Sequence, residues 1–586
     1  MNTFLNSSLI LTCLFLQSNL KCQLLVTPFE KNNRQSTNYY ECIAFYKNLE
    51  KSSKLIKVYE SGASDVSYPI HTVIISTNKE FDPQKTRRSG KAVLLINNGI
   101  HPGEPDGIDA SMIFARELIN DPFYRKILDH LTIVIIPIYN VGGSLLRNKH
   151  SRANQNGPEE YGFRGNSQNL DLNRDFIKCD SKNAETFTKL FQFWNPDVFL
   201  ETHTSDGADY PYSMTLISSQ RHKMQSDLGN YMYTKFLPNF LSEMKDNGLE
   251  VCPYVMVKED PINGIYDFLD LPRYSTGYAS LFHTISFMSE SHMLKSYDVR
   301  VNSQKKLIKS LASLTALKKT EILEFRKLAR IKLRDQKLIS LNWILQSDQF
   351  DSLNFRGYKQ DTFTSEVTGL ARYKYNPSKL YEKKIPYYNV FKSNLKIEKP
   401  DAYVIPAAYT QIIERLKWNG VRMQPLQKDS LVEAEYYRII HYNSPQTPYE
   451  NHYLHAQVKV DTVHMKKLYF KGDYIIPTDQ DAVRYIVETL EPHAPDSYFA
   501  WNFFDGILQR KEYFSDYLFE DVAPDLLKNN LPLKTEFEKK KKEDPEFSKD
   551  ANEMLHFIYS KSMYSEAGYM IYPVARWFSK MKHSLK

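Results

Sequence analysis

Hydrophobic and polar positions alternate in blocks along the first 340 residues. "AVLLI" (92–96) and "LTIVIIPIYN" (131–140) are continuous apolar runs of the kind expected for strands buried on both faces. Between them "PDGIDASMIFARELIND" sets Ile108, Met112, Ile113, Ala115 and Leu118 at helical spacing. Upstream, "YYECIAFYKNLEKSS" reads as a helix and "IHTVIIST" as a strand. A polar loop rich in Gly and Asn runs from about 141 to 175 and ends in "NLDLNRDF", before the amphipathic pattern "NAETFTKLFQFW". "PDVFLETHT" predicts a third strand reaching His203. Turn signals ("DPING", "LPRYSTG") then fill the interval to a fourth strand, "HTISFMSES" (283–291). Residues 299–337 form one long Lys-rich helical pattern. Strands alternating with amphipathic helices predict an α/β fold, a mostly parallel mixed sheet flanked by helices.

Beyond residue 338 the pattern changes. Tyr-rich, strand-like segments recur ("LARYKYNPSKLYEKKIPYYNVF", "LVEAEYYRIIHYN", "HYLHAQVKV", "KKLYFKGDYIIP"), with helical patterns only at "AYTQIIERLKWNG" and "QDAVRYIVETL". This predicts an additional β-rich C-terminal region, 336–586, following a catalytic-size unit over 23–335. The boundary zone spans 330–400, and no tandem repeat is evident.

Length and charge narrow the class. A chain of 586 residues is too long for one compact core. A net charge of +7 is diffuse over that length, and its one dense basic run, "EKKKKED" (538–544), is flanked by acids. That run reads as a solvated helix face, so no nucleic-acid partner is expected. "SLILTCLFL" (8–16) has the length of a signal-peptide core and is too short to span a membrane. It predicts a leader over 1–22 and a secreted or periplasmic protein, although no Lys or Arg precedes the run and no A-x-A site follows it. A lipid anchor at Cys22 is the minor variant. No later stretch is apolar and long enough for a transmembrane helix. The five cysteines (Cys13, Cys22, Cys42, Cys179, Cys252) show no CxxC spacing, which argues against a cysteine-built zinc site and allows at most one disulfide.

The chemistry sits at strand ends. "NNGIHPGEPDG" (97–107) leaves the first apolar strand and at once presents His101 and Glu104, an imidazole and a carboxylate three apart on a tight turn. One such HxxE is expected by chance in a chain with 15 His, so the match gains weight only from company. His203 ends the third strand and Glu290 the fourth. In an open α/β sheet the crevice beyond the carboxyl ends of the strands is where ligands bind. Two His and one Glu make the ligand set of a catalytic zinc with an open position for water. A separate carboxylate at that place, Glu290, suits general base and acid work.

At these residues the sequence resembles the zinc metallocarboxypeptidases of the carboxypeptidase A type. The resemblance rests on "HPGE" (101–104), "DLNR" (171–174), "ETH" (201–203) and the late strand-end Glu, in that order, and covers roughly 40–320. It implies one zinc per chain held by His101, Glu104 and His203, with Glu290 as general base and acid. It implies Asn173 and Arg174 as a clamp for a substrate's terminal carboxylate, and Asp171 as the acceptor fixing the tautomer of His101. Arg164 would polarise the scissile carbonyl. Arg152 competes for that role, and Glu201 competes with Glu290 because i and i+2 share a strand face. Taken alone, "DLNRD" also fits a plain loop and helix cap. For the substrate-capping tyrosine, Tyr274 and Tyr278 both fit, with Tyr274 preferred. His283 and His292 read as structural or surface residues. The implied activity is removal of C-terminal residues from peptides bearing a free C-terminal carboxylate. A zinc amidohydrolase acting on cell-wall peptides or acylated amino acids is the alternative, and a non-catalytic binding protein keeping the fold is a third. The residues give neither side-chain preference nor oligomeric state.

Overall fold

The structure is a computed structural model that describes residues 25–205 and 207–579. The expected leader and the Cys22 anchor lie outside the described residues. An eight-stranded sheet forms the centre. Its strands in chain order are β1 (Ile56–Gly62), β2 (Ile70–Ile75), β3 (Ala92–Asn97), β4 (Leu131–Ile136), β5 (Val198–Ser205), β6 (Met214–Ser218), β7 (Val251–Pro253) and β8 (Ile285–His292). In space they run β1-β2-β4-β3-β5-β8-β6-β7. The four central strands β4, β3, β5 and β8 are mutually parallel, and β1, β2 and β6 pair antiparallel outside them. The apolar runs become these central strands because both faces are covered: every residue of β3, β4, β5 and β8 is buried.

The chain moves from β3 to β4 on one side, then crosses to β5 on the other. The order therefore reverses beside β3, and the crevice at its carboxyl end is a topological switch point. Helices α1 (Tyr39–Ser52), α2 (Asp106–Asn120), α3 (Lys182–Trp194), α4 (Ser275–Ser280) and α5 (Tyr297–Leu317) flank the sheet, with α2 packed against α5. The long helical pattern of 299–337 is two helices. α5 ends at Leu317 and α6 (Lys319–Asp335) follows a break at Lys318 (φ −97°, ψ 12°). Past the break α6 packs on the helices Ser226–Tyr231 and Val483–Leu490 while keeping contact with β3. Periodicity alone could not reveal it, because both halves carry the same 3.6-residue spacing.

The C-terminal region is β-rich. It contains two long hairpins, β9 (Asp351–Thr364) with β10 (Ala371–Tyr388) and β11 (Ser430–Asn443) with β12 (Ala456–Tyr469). It also contains three helices, Asp516–Asn529, Leu531–Glu543 and Ala551–Ser560, that share a small apolar core. The Lys run lies on the second of these, with its lysines turned to solvent or over Phe537, Phe547 and Phe557. One apolar core continues from the sheet into this region through Tyr403, Tyr485, Trp501 and Tyr572. Cys42, Cys179 and Cys252 are buried free thiols.

One cation ties the sheet's functional edge together. Arg300, on α5, is fully buried and pairs with Asp106 (Nε–Oδ2 3.0 Å) at the start of α2. Its Nη atoms donate to the carbonyls of Asn156, Gly157, Met293 and Lys295, so the loop after β4 and the exit of β8 are held to one guanidinium. Arg300→Ala would strand Asp106 as a buried charge without its cation and remove the side-chain donor of the Asn156, Gly157 and Lys295 carbonyls. We expect a loss of about 3–5 kcal/mol, measured by chemical denaturation. A loss below about 1 kcal/mol would contradict this reading.

Candidate active site

The HPGE turn is shaped by two glycines. At Gly99 the backbone is left-handed (φ 65°), which lets the chain leave β3 sharply. A Cβ on Gly107 would fall 2.1 Å from Thr202 Oγ1, so glycine there lets α2 lie directly on β5. The amide of Glu104 closes the turn onto the His101 carbonyl at 2.8 Å. His101 and Glu104 are thereby set beside His203, which ends β5, and the three are 2–4% exposed.

A ligand-type atom from each of His101, Glu104 and His203 lies within 4.8 Å of the others, a group that could hold a metal ion. Glu104 Oε2 accepts the Thr204 amide at 2.9 Å and stands 3.1 Å from His203 Nδ1. His101 Nε2 is 2.8 Å from Asp171 Oδ1. Its Nδ1 is buried without a hydrogen-bond partner, 3.4 Å from Glu104 Oε1 at poor angle. If Asp171 accepts the Nε2 proton, Nδ1 keeps a free lone pair aimed at the other two ligand-type groups. That is the donor arrangement a divalent metal takes. The residues present fit such an ion.

Charge is organised around this cluster. Burial pushes the Glu104 carboxyl up, but Arg152 and His101 more than reverse this and hold it well below the usual range. Arg152 Nη1 donates to Glu104 Oε1 at 2.7 Å, Nη2 to the Thr204 carbonyl and Nε to Gln155. Arg164 grips Asp171 Oδ2 through Nε and Nη2, with Nη1 3.4 Å from Glu104. Asp171, too, resists the upward push of burial: His101, Arg164 and Arg174 hold its carboxyl far down. Asn173 stands with Nδ2 3.5 Å from His203 Nε2, and its amide bonds Asp171 Oδ1. The Arg174 guanidinium lies over the Tyr274 ring, 4.7 Å from its centre.

Glu290 pairs in register with His203 across β5 and β8, so both side chains share one sheet face. Burial pushes its carboxyl up to about 7, against a lowering influence from His203. Glu201 shares that face but lies one step deeper. It is fully buried, accepts from Asn97 Nδ2 at 2.9 Å, and does not line the cavity.

The cavity at these strand ends measures roughly 380 Å³. His101, Glu104, His203, Arg152, Arg164 and Glu290 line it, as do Asn173, Arg174 and Tyr274 on a second wall, with Ile217 and Met288 on the sheet side. The preferred ligand, base, carbonyl-polarising, clamp and capping residues thus converge, while Asp171 stands behind His101. Tyr278 does not reach the cavity. It is fully buried and donates to Asn419 Oδ1 at 2.7 Å. His283 and His292 are buried structural residues, the latter 3.1 Å from the Ala208 carbonyl.

Sequence reasoning missed contributions from the C-terminal region. Glu450 Oε2 accepts the Asp171 amide at 2.8 Å, and Asp496 binds Arg273, next to Tyr274, at 2.7 Å. His452 bonds Asp180 at 2.7 Å, just beyond the "DLNR" segment. No local pattern marks these partners, which lie more than 200 residues from the groups they hold.

The family described as zinc carboxypeptidase matches residues 42–227. That span contains "HPGE", "DLNR" and "ETH", and Glu290 lies beyond it. Carboxypeptidase 2 of Trichophyton rubrum is 20% identical over 473 residues, covering 78% of this chain and 81% of that protein. Among solved structures, a metallo-carboxypeptidase from Burkholderia cenocepacia is 16% identical, covering 48% of this chain and 70% of its own, with a TM-score of 0.36. The carboxypeptidase A from Helicoverpa armigera is 15% identical, covering 51% and 80%, with a TM-score of 0.37. The resemblance read from the sequence motifs agrees with the zinc carboxypeptidase match over residues 42–227, and the curated relative is likewise a carboxypeptidase by name.

A buried ligand set that binds metal only when folded links binding to stability. Chelator-treated protein should melt several degrees higher on adding a divalent transition metal, since a ligand at a hundred times its Kd contributes about 2.7 kcal/mol. The rise should vanish in His203→Ala. An equal rise in that variant would place the metal elsewhere.

Proposed function

We propose that this chain, whose residues 42–227 match the zinc carboxypeptidase family, is a zinc-dependent metallocarboxypeptidase acting on peptides with a free C-terminal carboxylate. The observation that carries the reading is the convergence, in one strand-end cavity, of a His–Glu–His group, a separate buried carboxylate and the unsatisfied Nδ1 of His101. We take 23–335 as the catalytic unit, 336–586 as a β-rich companion that braces it, and 1–22 as a leader directing the protein out of the cytoplasm.

His101, Glu104 and His203 would hold one zinc per chain. Bound zinc supplies Lewis acidity, which lowers the pKa of a water and polarises a carbonyl. The remaining work falls to the chain. Asp171 holds the proton on His101 Nε2 and so fixes the ring's tautomer. Glu290, with its carboxyl raised to about 7, accepts a proton from the attacking water and returns it to the leaving amine. Arg164 stabilises negative charge developing on the carbonyl oxygen. It is better suited than Arg152, whose side chain is 14% exposed against 46% for Arg164 and whose three nitrogens all donate at 2.9 Å or closer, whereas Arg164 Nη1 reaches Glu104 only at 3.4 Å. Arg174 and Asn173 receive the terminal carboxylate, with the Tyr274 ring against the guanidinium.

A free carboxylate gives Arg174 a charge-assisted, bidentate partner. A C-terminal amide does not, and the under-satisfied cation should cost about 3–5 kcal/mol, a hundredfold or more in kcat/KM. We therefore expect free-acid peptides to be cleaved and their amides not, and Arg174→Ala to erase most of the difference. The check is a paired rate measurement on one peptide in both forms. Equal rates would exclude the clamp and favour a zinc amidohydrolase of different substrate.

A further inference from the structure

A second cavity, roughly 470 Å³, lies between the end of α3, helix α6 and the turns at 419–422 and 479–482. Three guanidiniums line it, Arg330, Arg334 and Arg422, against one carboxylate, Asp481. Three positive charges against one leave a net of two.

Neither the lone acid nor the surrounding neutral groups satisfy these arginines. Arg334 Nη2 binds Asp481, while Arg330 Nε stays 4.0 Å from it. Arg330 Nη2 donates to Asn195 Oδ1 at 3.0 Å, an oxygen it shares with Arg326. Arg334 Nε is buried and has no hydrogen-bond partner. The Arg422 guanidinium donates through Nη2 to the carbonyl of Asp479 and faces no carboxylate partner among its hydrogen bonds. One layer inward, Arg87 and Arg326 both pair with the single carboxylate of Asp197, which adds a further positive charge behind the wall. The excess positive field registers on its neighbours. Burial, then Arg330, Arg326 and Arg484, hold the His283 imidazole well below its usual range. Burial, reinforced by Arg87 and Arg334, lowers Arg330 itself despite Asp481 and Asp197.

Two half-buried guanidiniums, Arg330 and Arg334, with an exposed third, Arg422, at the mouth and one carboxylate among them favour an anion that shares the cavity. Planar forks with several free N–H groups match a tetrahedral oxyanion, which takes bidentate bonds from more than one side, better than a single carboxylate. Gln192 and Asn419 complete the lining with neutral polar groups. We propose that this cavity binds a phosphate-class dianion, either free inorganic phosphate or the phosphoryl group of a small monoester, at a site separate from the catalytic one.

The test is isothermal titration of the full chain with inorganic phosphate and, in a second arm, glycerol 3-phosphate, with ionic strength held constant by sodium chloride. Wild type should bind at least one of them saturably, and tighter binding of the ester would identify a phosphorylated small molecule as the natural source. Arg422→Gln, at an exposed position, and Arg330→Met should each weaken binding tenfold or more. Arg174→Ala, which removes the cation of the catalytic cavity, should leave it within about twofold. Absence of saturable binding would overturn the proposal. So would unchanged binding in Arg422→Gln together with its loss in Arg174→Ala.

Discussion

A carboxylate buried as deeply as Glu104 cannot stand without compensating charge, and the active-site architecture follows from supplying it. Arg152, the two imidazoles and the Thr204 amide surround the group. They come from the HPGE turn, the end of β5 and the 141–175 loop, so the sheet order and that loop must bring them to one point. The same requirement explains why Asp171 and Arg164 follow: an imidazole beside a buried carboxylate needs a fixed proton, and the acceptor that fixes it needs a cation of its own. The outcome is a chain of alternating charges from Arg152 to Arg174, with one unfilled position, the Nδ1 of His101.

The C-terminal region takes part in this network. Glu450 caps the Asp171 amide, Asp496 anchors the arginine next to Tyr274, and the apolar core runs unbroken beneath both. The cavity wall that carries Asn173, Arg174 and Tyr274 therefore depends on residues from 336 onward for its position. This gives the β-rich region a bracing role that its exposed hairpins do not suggest.

Much of this was legible in the sequence, for identifiable reasons. Buried parallel strands announce themselves as apolar runs, and their carboxyl ends mark the crevice, so His101, Glu104, His203 and Glu290 could be brought together without coordinates. The choice between Glu290 and Glu201 needed register: both share a strand face, but only Glu290 stands level with His203, while Glu201 is tied to Asn97. Tyr274 and Tyr278 lie one helical turn apart, and burial among Phe176, Phe187, Phe191 and Phe282 with a bond to Asn419 removes the second from the cavity. The break at Lys318 and the contacts of Glu450, Asp496 and Arg300 were not legible. A helix break without Gly or Pro leaves no periodic signature, and long-range ion pairs leave no local one.

In a hydrolytic site built on the strand-end cluster, Glu290 would handle the proton while His101, Glu104 and His203 hold the metal. Turnover and metal content of Glu290→Gln, measured together on full-length protein beside Glu201→Gln, test it most directly. Glu290→Gln should keep about one metal per chain and lose hydrolysis by roughly three orders of magnitude or more. Normal turnover in that variant with a dead Glu201→Gln protein would contradict it.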